Sequence, residues 1–237
     1  MKTGSGGSEK KSESKIEKHT TKKTDWEFYA QFAIIIVLAG ILIYSYSGNQ
    51  SETGNSIGVR GIGTVSASSV VPTGTPPIYG DELGIKYDYV SANNPEVTEK
   101  TIAFLGSIDT SETLEGADLE RYINILYNLE NGISCEYCCG ARAIIFSSGE
   151  MACGCAHSYA MRGVAKYLIK YHGDEFTDEQ ILEEVGKWKT LFFPGIMEGK
   201  AQVLKQNGIE FNYINLASNK YRGIEQGQAS GTMVGGC

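Results

Sequence analysis

Residues 135–157 constrain this chain more than any other stretch. They read Cys135-x-x-Cys138-Cys139, thirteen further residues, then Cys153-x-Cys155-x-His157, so five of the six cysteines and one of the three histidines fall within 23 positions. Thiols at this density share a metal, a disulfide framework or redox chemistry, and each of these requires the fold to bring the two groups together. Residues 141–146 are β-prone and 147–150 are turn-like, so a β-hairpin is expected to do this. After it, Ala160, Val164, Leu168 and Tyr171 recur at helical spacing over 156–171. Cys153, Cys155 and His157 are then placed at or just before a helix N-terminus, where the helix dipole favours thiolate over thiol.

The candidate metal ligands are therefore Cys135, Cys138, Cys139, Cys153, Cys155 and His157. Zinc takes about four thiolate or imidazole ligands, arranged as two close pairs from separate backbone elements. Soft thiolates suit copper(I) and iron–sulfur clusters as well, and these stand as alternatives to zinc. Haem attachment is excluded at this position, because Cys138 is followed by Cys139 and not by histidine. A Cys-x-x-Cys turn, a hairpin and a second ligand pair at a helix start resemble treble-clef and zinc-ribbon-like metal sites over residues 135–171. The resemblance implies Cys135, Cys138, Cys153 and either Cys155 or His157 as ligands, with a more compact second pair than that family usually carries. Cys153-Gly154-Cys155 followed by His157 is also similar to the PCYCGC-motif group of membrane-anchored extracytoplasmic proteins, here without the Pro-Cys-Tyr lead. That likeness implies an anchored, cysteine-rich, metal-binding exterior domain.

Two other readings compete with metal binding. A disulfide closing about 15 residues between the cysteine groups contributes roughly 3 kcal/mol, against ~10–16 kcal/mol for a structural zinc. The energetics favour metal over a disulfide-stapled interaction domain. Cys135-x-x-Cys138 and Cys153-x-Cys155 also have spacings found in exchange-competent disulfides, which makes a thiol–disulfide oxidoreductase the second alternative. No Gly-x-Ser-x-Gly, His-Glu-x-x-His or phosphate-loop pattern accompanies the cluster, so binding is expected in preference to catalysis.

The remaining sequence supplies the setting. Residues 1–27 hold seven lysines and five acids, a balance of +2, which leaves 14 basic and 23 acidic residues, or -9, for the rest of the 237. An acidic body argues against nucleic acid as a partner. Residues 28–48 carry no charge, are almost continuously apolar over 32–44, and have aromatic flanks. This predicts a single transmembrane helix with the lipid bilayer as a partner. The lysine-rich tail 1–27 would be disordered and cytoplasmic, 49–80 a Gly/Ser/Pro-rich stalk, 81–222 an exterior domain, and 223–237 a flexible Gly-rich end.

The expected fold class is α+β, mostly helical with the cysteine-bearing hairpin. Short strands are expected at 85–90 and 209–216. Helices are expected from Asn94-Pro95, over 117–130 before Asn131-Gly132, from the Thr177/Gln180 capping box to Pro194, and over 195–207. His172 is expected to cap carbonyls at a helix end.

Overall fold

The computed structural model of the chain describes residues 29–30, 33–35, 70–227, 229, 231 and 233–236. The chain divides into two units, residues 1–59 and 60–237, and the second holds every element that follows. Its helices are α1 (Tyr79–Leu83), α2 (Pro95–Ser111), α3 (Gly116–Ile123), α4 (Ala156–His172), α5 (Asp178–Phe192), α6 (Pro194–Gln206) and α7 (Tyr213–Ala217). α3 runs into a π-helical turn, Asn124–Asn128, and a 3-10 turn, Leu129–Asn131.

α4 is the central helix, packed against α2 on one side and α5 on another. Its buried residues include Ala160, Met161, Gly163, Val164, Ala165, Leu168 and Ile169, enough small side chains to let a neighbour approach closely. Gly163 marks the closest approach, since a Cβ there would overlap the backbone carbonyl oxygen of Leu105 in α2. A buried ion cluster locks the same crossing. Asp109 of α2 accepts from Arg162 Nε at 2.7 Å and faces Lys166 Nζ at 2.8 Å, both from α4. The segment before α2 is sewn to α5 by polar contacts inside the core. Tyr79 and Tyr87 hydroxyls both donate to Glu184 Oε2, at 2.8 and 2.5 Å, and Trp188 Nε1 donates to the Tyr79 oxygen at 2.8 Å.

α5 starts at the expected capping box: Thr177 Oγ1 accepts from the Gln180 backbone N–H, and Gln180 Oε1 accepts from that of Thr177. α2 begins at Pro95 after Asn94, whose side chain makes no cap hydrogen bond, and continues to Ser111. Tyr171, expected on the apolar stripe of α4, is exposed and donates to Glu112.

The α+β expectation is overturned. Among the described residues there is no strand or sheet, only the isolated bridges Ile145–Met151 and Ile133–Ser218. The hairpin stops at two cross-bonds, Phe146 N–H to Glu150 O and Ala152 N–H to Ile144 O, and the carbonyls that precede them are taken by side chains from distant elements. Arg162 Nη1 donates to Ile144 O and Cys153 O, Arg222 donates to Gly140 O, Ala141 O and Arg142 O, and Asn219 Nδ2 also donates to Arg142 O. The strand expected at 85–90 contains a 3-10 turn, Tyr87–Tyr89. The one expected at 209–216 is displaced by α7, which Asn212 nucleates by accepting from the Asn215 N–H at 2.7 Å.

The expected transmembrane helix is corrected as well. Among the described residues no helix is long and apolar enough to cross a membrane. Of residues 28–48 only 29–30 and 33–35 are described, and these are helical. The cytoplasmic-tail and exterior-domain placement built on that helix falls with it. The rest of the span, the tail and the stalk up to residue 69 lie outside the described residues.

His172 does not cap carbonyls. Its ring bridges two carboxylates, Nδ1 at 2.5 Å from Glu175 and Nε2 at 2.8 Å from Glu82, which ties α1 to the end of α4. Burial pushes the imidazole pKa down, but the hydrogen bonds to Glu175 and Glu82 outweigh it and the net shift is upward. A raised histidine pKa contributes stability that is fully present below the ordinary value of about 6.5 and is lost as pH rises through the folded value. His172→Gln is therefore expected to lower the urea midpoint at pH 6 and to change it little at pH 9. Gly163→Ala is expected to destabilise at any pH by about 1–3 kcal/mol, read from the same urea transitions, because the obstructing atom is backbone.

Candidate metal centre

Cys135 reaches the core through a tight chain reversal. Glu130, Asn131 and Gly132 have successive φ values of 49°, 64° and 75°. Gly132 is required there, because a Cβ would lie 2.5 Å from Leu126 O. Ile133 N–H then donates to that same Leu126 oxygen, and Asn219 N–H donates to Gly132 O, so the chain enters the interior with Cys135 fully buried. A turn follows in which Cys138 N–H donates to Cys135 O at 3.1 Å.

The second cysteine group is held from below by Arg162. Its Nη1 donates to Cys153 O at 2.8 Å, while its Nε is committed to Asp109. Cys155 is the N-cap of α4, with Sγ 3.4 Å from the Ser158 N–H and 3.3 Å from Ser158 Oγ. His157, fully buried in the first turn of α4, lies between the rings of Phe192 and Phe193, with centroids 4.6 and 5.2 Å away. Its Nε2 is 2.9 Å from Val234 O. A carbonyl only accepts, so Nε2 carries the proton and Nδ1 is the nitrogen whose lone pair can serve a metal.

These elements bring three of the six expected ligands together. One ligand atom each from Cys135, Cys155 and His157 lie within 4.8 Å of one another. Cys155 Sγ is 3.4 Å from Cys135 Sγ and 3.6 Å from Cys153 Sγ. Cys153 is buried and joined in a disulfide to Cys139, Cα to Cα 6.7 Å. Cys139 and Cys138 are exposed, and neither belongs to the three-residue group. Met161 is a core residue of α4.

The electrostatics separate the two thiols. The Cys135 hydrogen bond lowers the Cys155 pKa most; burial opposes it, and Ser158, together with His157 when its Nδ1 also carries a proton, adds to the lowering. Cys135 is pushed up, first by that hydrogen bond to Cys155, then by burial and by the negative charge on Cys155. Cys155 is thus the thiolate of the pair and Cys135 the thiol that donates to it.

Sequence reasoning missed the surrounding charges. Lys189, fully buried on α5, donates to Ala217 O at 2.8 Å; burial lowers its pKa to about 8 against the opposing pull of Glu136. Lys200, also fully buried, has its Nζ 3.7 Å from Glu136 Oε1 and 4.0 Å from Glu225 Oε2. Arg222 faces the other Glu136 oxygen at 3.4 Å, and of these cations Lys189 acts on Cys135, favouring its thiolate against burial and the charge on Cys155. Lys187-Trp188-Lys189 read as part of an amphipathic helix, and only the burial of Trp188 and Lys189 together reveals this role. The Gly-rich C-terminal segment supplies the carbonyl of Val234, which is itself buried and donates its N–H to Phe192 O.

Comparison with known proteins finds no matching family model, no matching curated protein and no matching solved structure.

Arg162 positions the site without touching the three candidate ligands. Arg162→Ala would leave the buried Asp109 with Lys166 as its remaining cation and free two carbonyls of the cysteine loop. Loss of one member of such a pair costs about 3–5 kcal/mol. Chemical denaturation is expected to show a loss of that size. Alkylation of Cys135, which is fully buried in the native protein, should become faster in the same variant.

Proposed function

We propose that the chain is a metal-binding protein whose centre is formed by Cys135, Cys155 and His157, with zinc as the metal. The observation that carries this reading is the convergence of two thiols and an imidazole within 4.8 Å in a largely buried setting. A donor set of two sulfurs and one imidazole nitrogen suits zinc, whereas an iron–sulfur cluster is usually held by four thiolates and copper(I) is favoured by softer, all-sulfur sites. The Val234 carbonyl that fixes the His157 tautomer is the outer partner expected of a metal-bound histidine. Cys155 is only partly buried, so the centre lies close to the protein surface. Three protein ligands near the surface leave one position open, which favours metal handling over a purely structural role.

A thiol–disulfide oxidoreductase is the second reading, and one distance favours it. Cys155, the thiolate, lies 3.6 Å from the sulfur of Cys153 in the Cys139–Cys153 disulfide. Attack there would form a Cys153–Cys155 bond and release Cys139 as thiolate. Mapping the disulfides of the full chain by mass spectrometry separates the readings, since this chemistry predicts a Cys153–Cys155 species.

For the metal reading, zinc titration of the full chain against a chromophoric chelator is expected to give one high-affinity ion. Cys135→Ala, Cys155→Ala and His157→Ala should each weaken it at least tenfold, with little change for Cys138→Ala. Because Cys135 is held as the thiol, binding releases its proton, and affinity should fall about tenfold per pH unit for each proton released as pH decreases. Equal affinity in all four variants would remove the assignment.

A further inference from the structure

Three donors leave a tetrahedral ion one ligand short. Metal–sulfur bonds of about 2.3 Å put the edge of a thiolate tetrahedron at about 3.8 Å. Cys155 Sγ makes two distances near that length, 3.4 Å to Cys135 and 3.6 Å to Cys153. Cys153 Sγ therefore lies within one such edge of Cys155 Sγ, with its backbone fixed by the Arg162 bond to its carbonyl. What withholds it is its disulfide to Cys139.

We propose that Cys153 is the fourth ligand of the centre and that the Cys139–Cys153 disulfide is a redox gate on it. The proposal rests on the metal reading above. With the disulfide formed, the site offers Cys135, Cys155 and His157 and keeps one position open. With it reduced, the set becomes Cys135, Cys153, Cys155 and His157, a closed site of three thiolates and one imidazole, of the kind that holds zinc for structure.

The burial of the two half-cystines gives the gate its direction. Cys139 is exposed, whereas Cys153 is 2% exposed and lies beside Cys155. An external dithiol reaches Cys139 Sγ first, forms a mixed disulfide there and expels Cys153 as a thiolate into the metal centre. The second thiol of the reductant then attacks its own sulfur in the mixed disulfide. It leaves as a cyclic disulfide and Cys139 is released as a thiol. Two electrons pass from the dithiol to the protein, and the thiolate that appears inside is the missing ligand. Oxidation by a disulfide of the same class runs the steps in reverse and takes Cys153 off the metal. The reduced protein holds its ion, and the oxidised protein is poised to give it up.

The test is cobalt(II) and zinc titration of the full chain, anaerobically, before and after treatment with a phosphine reductant that is then removed. The expected result is a sulfur-to-cobalt charge-transfer band that rises from two to three thiolates on reduction, with zinc held about a hundredfold more tightly. Cys139→Ser should show the tight, three-thiolate form without reductant, and Cys153→Ser the weak, two-thiolate form in both conditions. Equal affinity and equal charge-transfer intensity in both redox states of the wild type would overturn the gate and leave the three-residue site standing. Loss of the gain in Cys138→Ser, with its retention in Cys153→Ser, would overturn the assignment of Cys153. Absence of bound metal in both redox states would overturn the metal reading itself. The wild-type comparison decides the question even if a variant fails to fold.

Discussion

The guanidinium of Arg162 holds fold and site together. It is almost fully buried, pairs with Asp109 across the closest helix crossing, and donates from Nη1 to the carbonyls of Ile144 and Cys153. A buried charge is tolerable only when its partners are fixed, and here those partners belong to α2 and to both limbs of the cysteine loop. The helical pair cannot slide without exposing Asp109 to an apolar interior. The cysteine loop cannot lift away without orphaning the guanidinium. Gly163, one residue further along α4, admits the backbone of α2 at the distance this arrangement needs.

On that base the centre is built from unlike pieces, each with a separate physical task. The reversal at Gly132 drives Cys135 inward, the α4 N-terminus stabilises negative charge on Cys155, and the C-terminal segment sets the tautomer of His157. Lys189 pulls the Cys135 thiol toward its thiolate, against the burial and the neighbouring Cys155 charge that hold it protonated. The exposed Cys139 faces the surroundings and the buried Cys153 faces the centre, which couples redox chemistry outside to ligand supply inside.

Much of this was legible in the sequence wherever the cause is local. The Thr177/Gln180 capping box, the helix start at Pro95, the stop at Asn131-Gly132 and the placement of Cys155 and His157 at a helix N-terminus follow from residues acting within a turn of themselves, although Asn94 does not cap. What failed depended on distant partners. Residues 141–146 have the composition of a strand, but Arg222 and Asn219 take the carbonyls of Ala141 and Arg142 from 77 to 81 positions away. The alternation in 209–216 lost to the cap that Asn212 provides. Nothing local distinguishes Cys138 from Cys139, so the pattern could propose six ligands without dividing them into a converging three, a disulfide and an exposed thiol-bearing residue. Lys189 and Val234 belong to the centre only through the packing of α5 and the chain end.

X-ray absorption at the zinc edge of the zinc-loaded full chain, isolated without reductant, tests the central claim most directly. The account predicts a first shell of two sulfurs at about 2.3 Å and an imidazole nitrogen at about 2.0 Å, completed by one further light atom. A shell of oxygen and nitrogen alone would place the ion elsewhere and contradict the assignment of Cys135, Cys155 and His157 as its ligands.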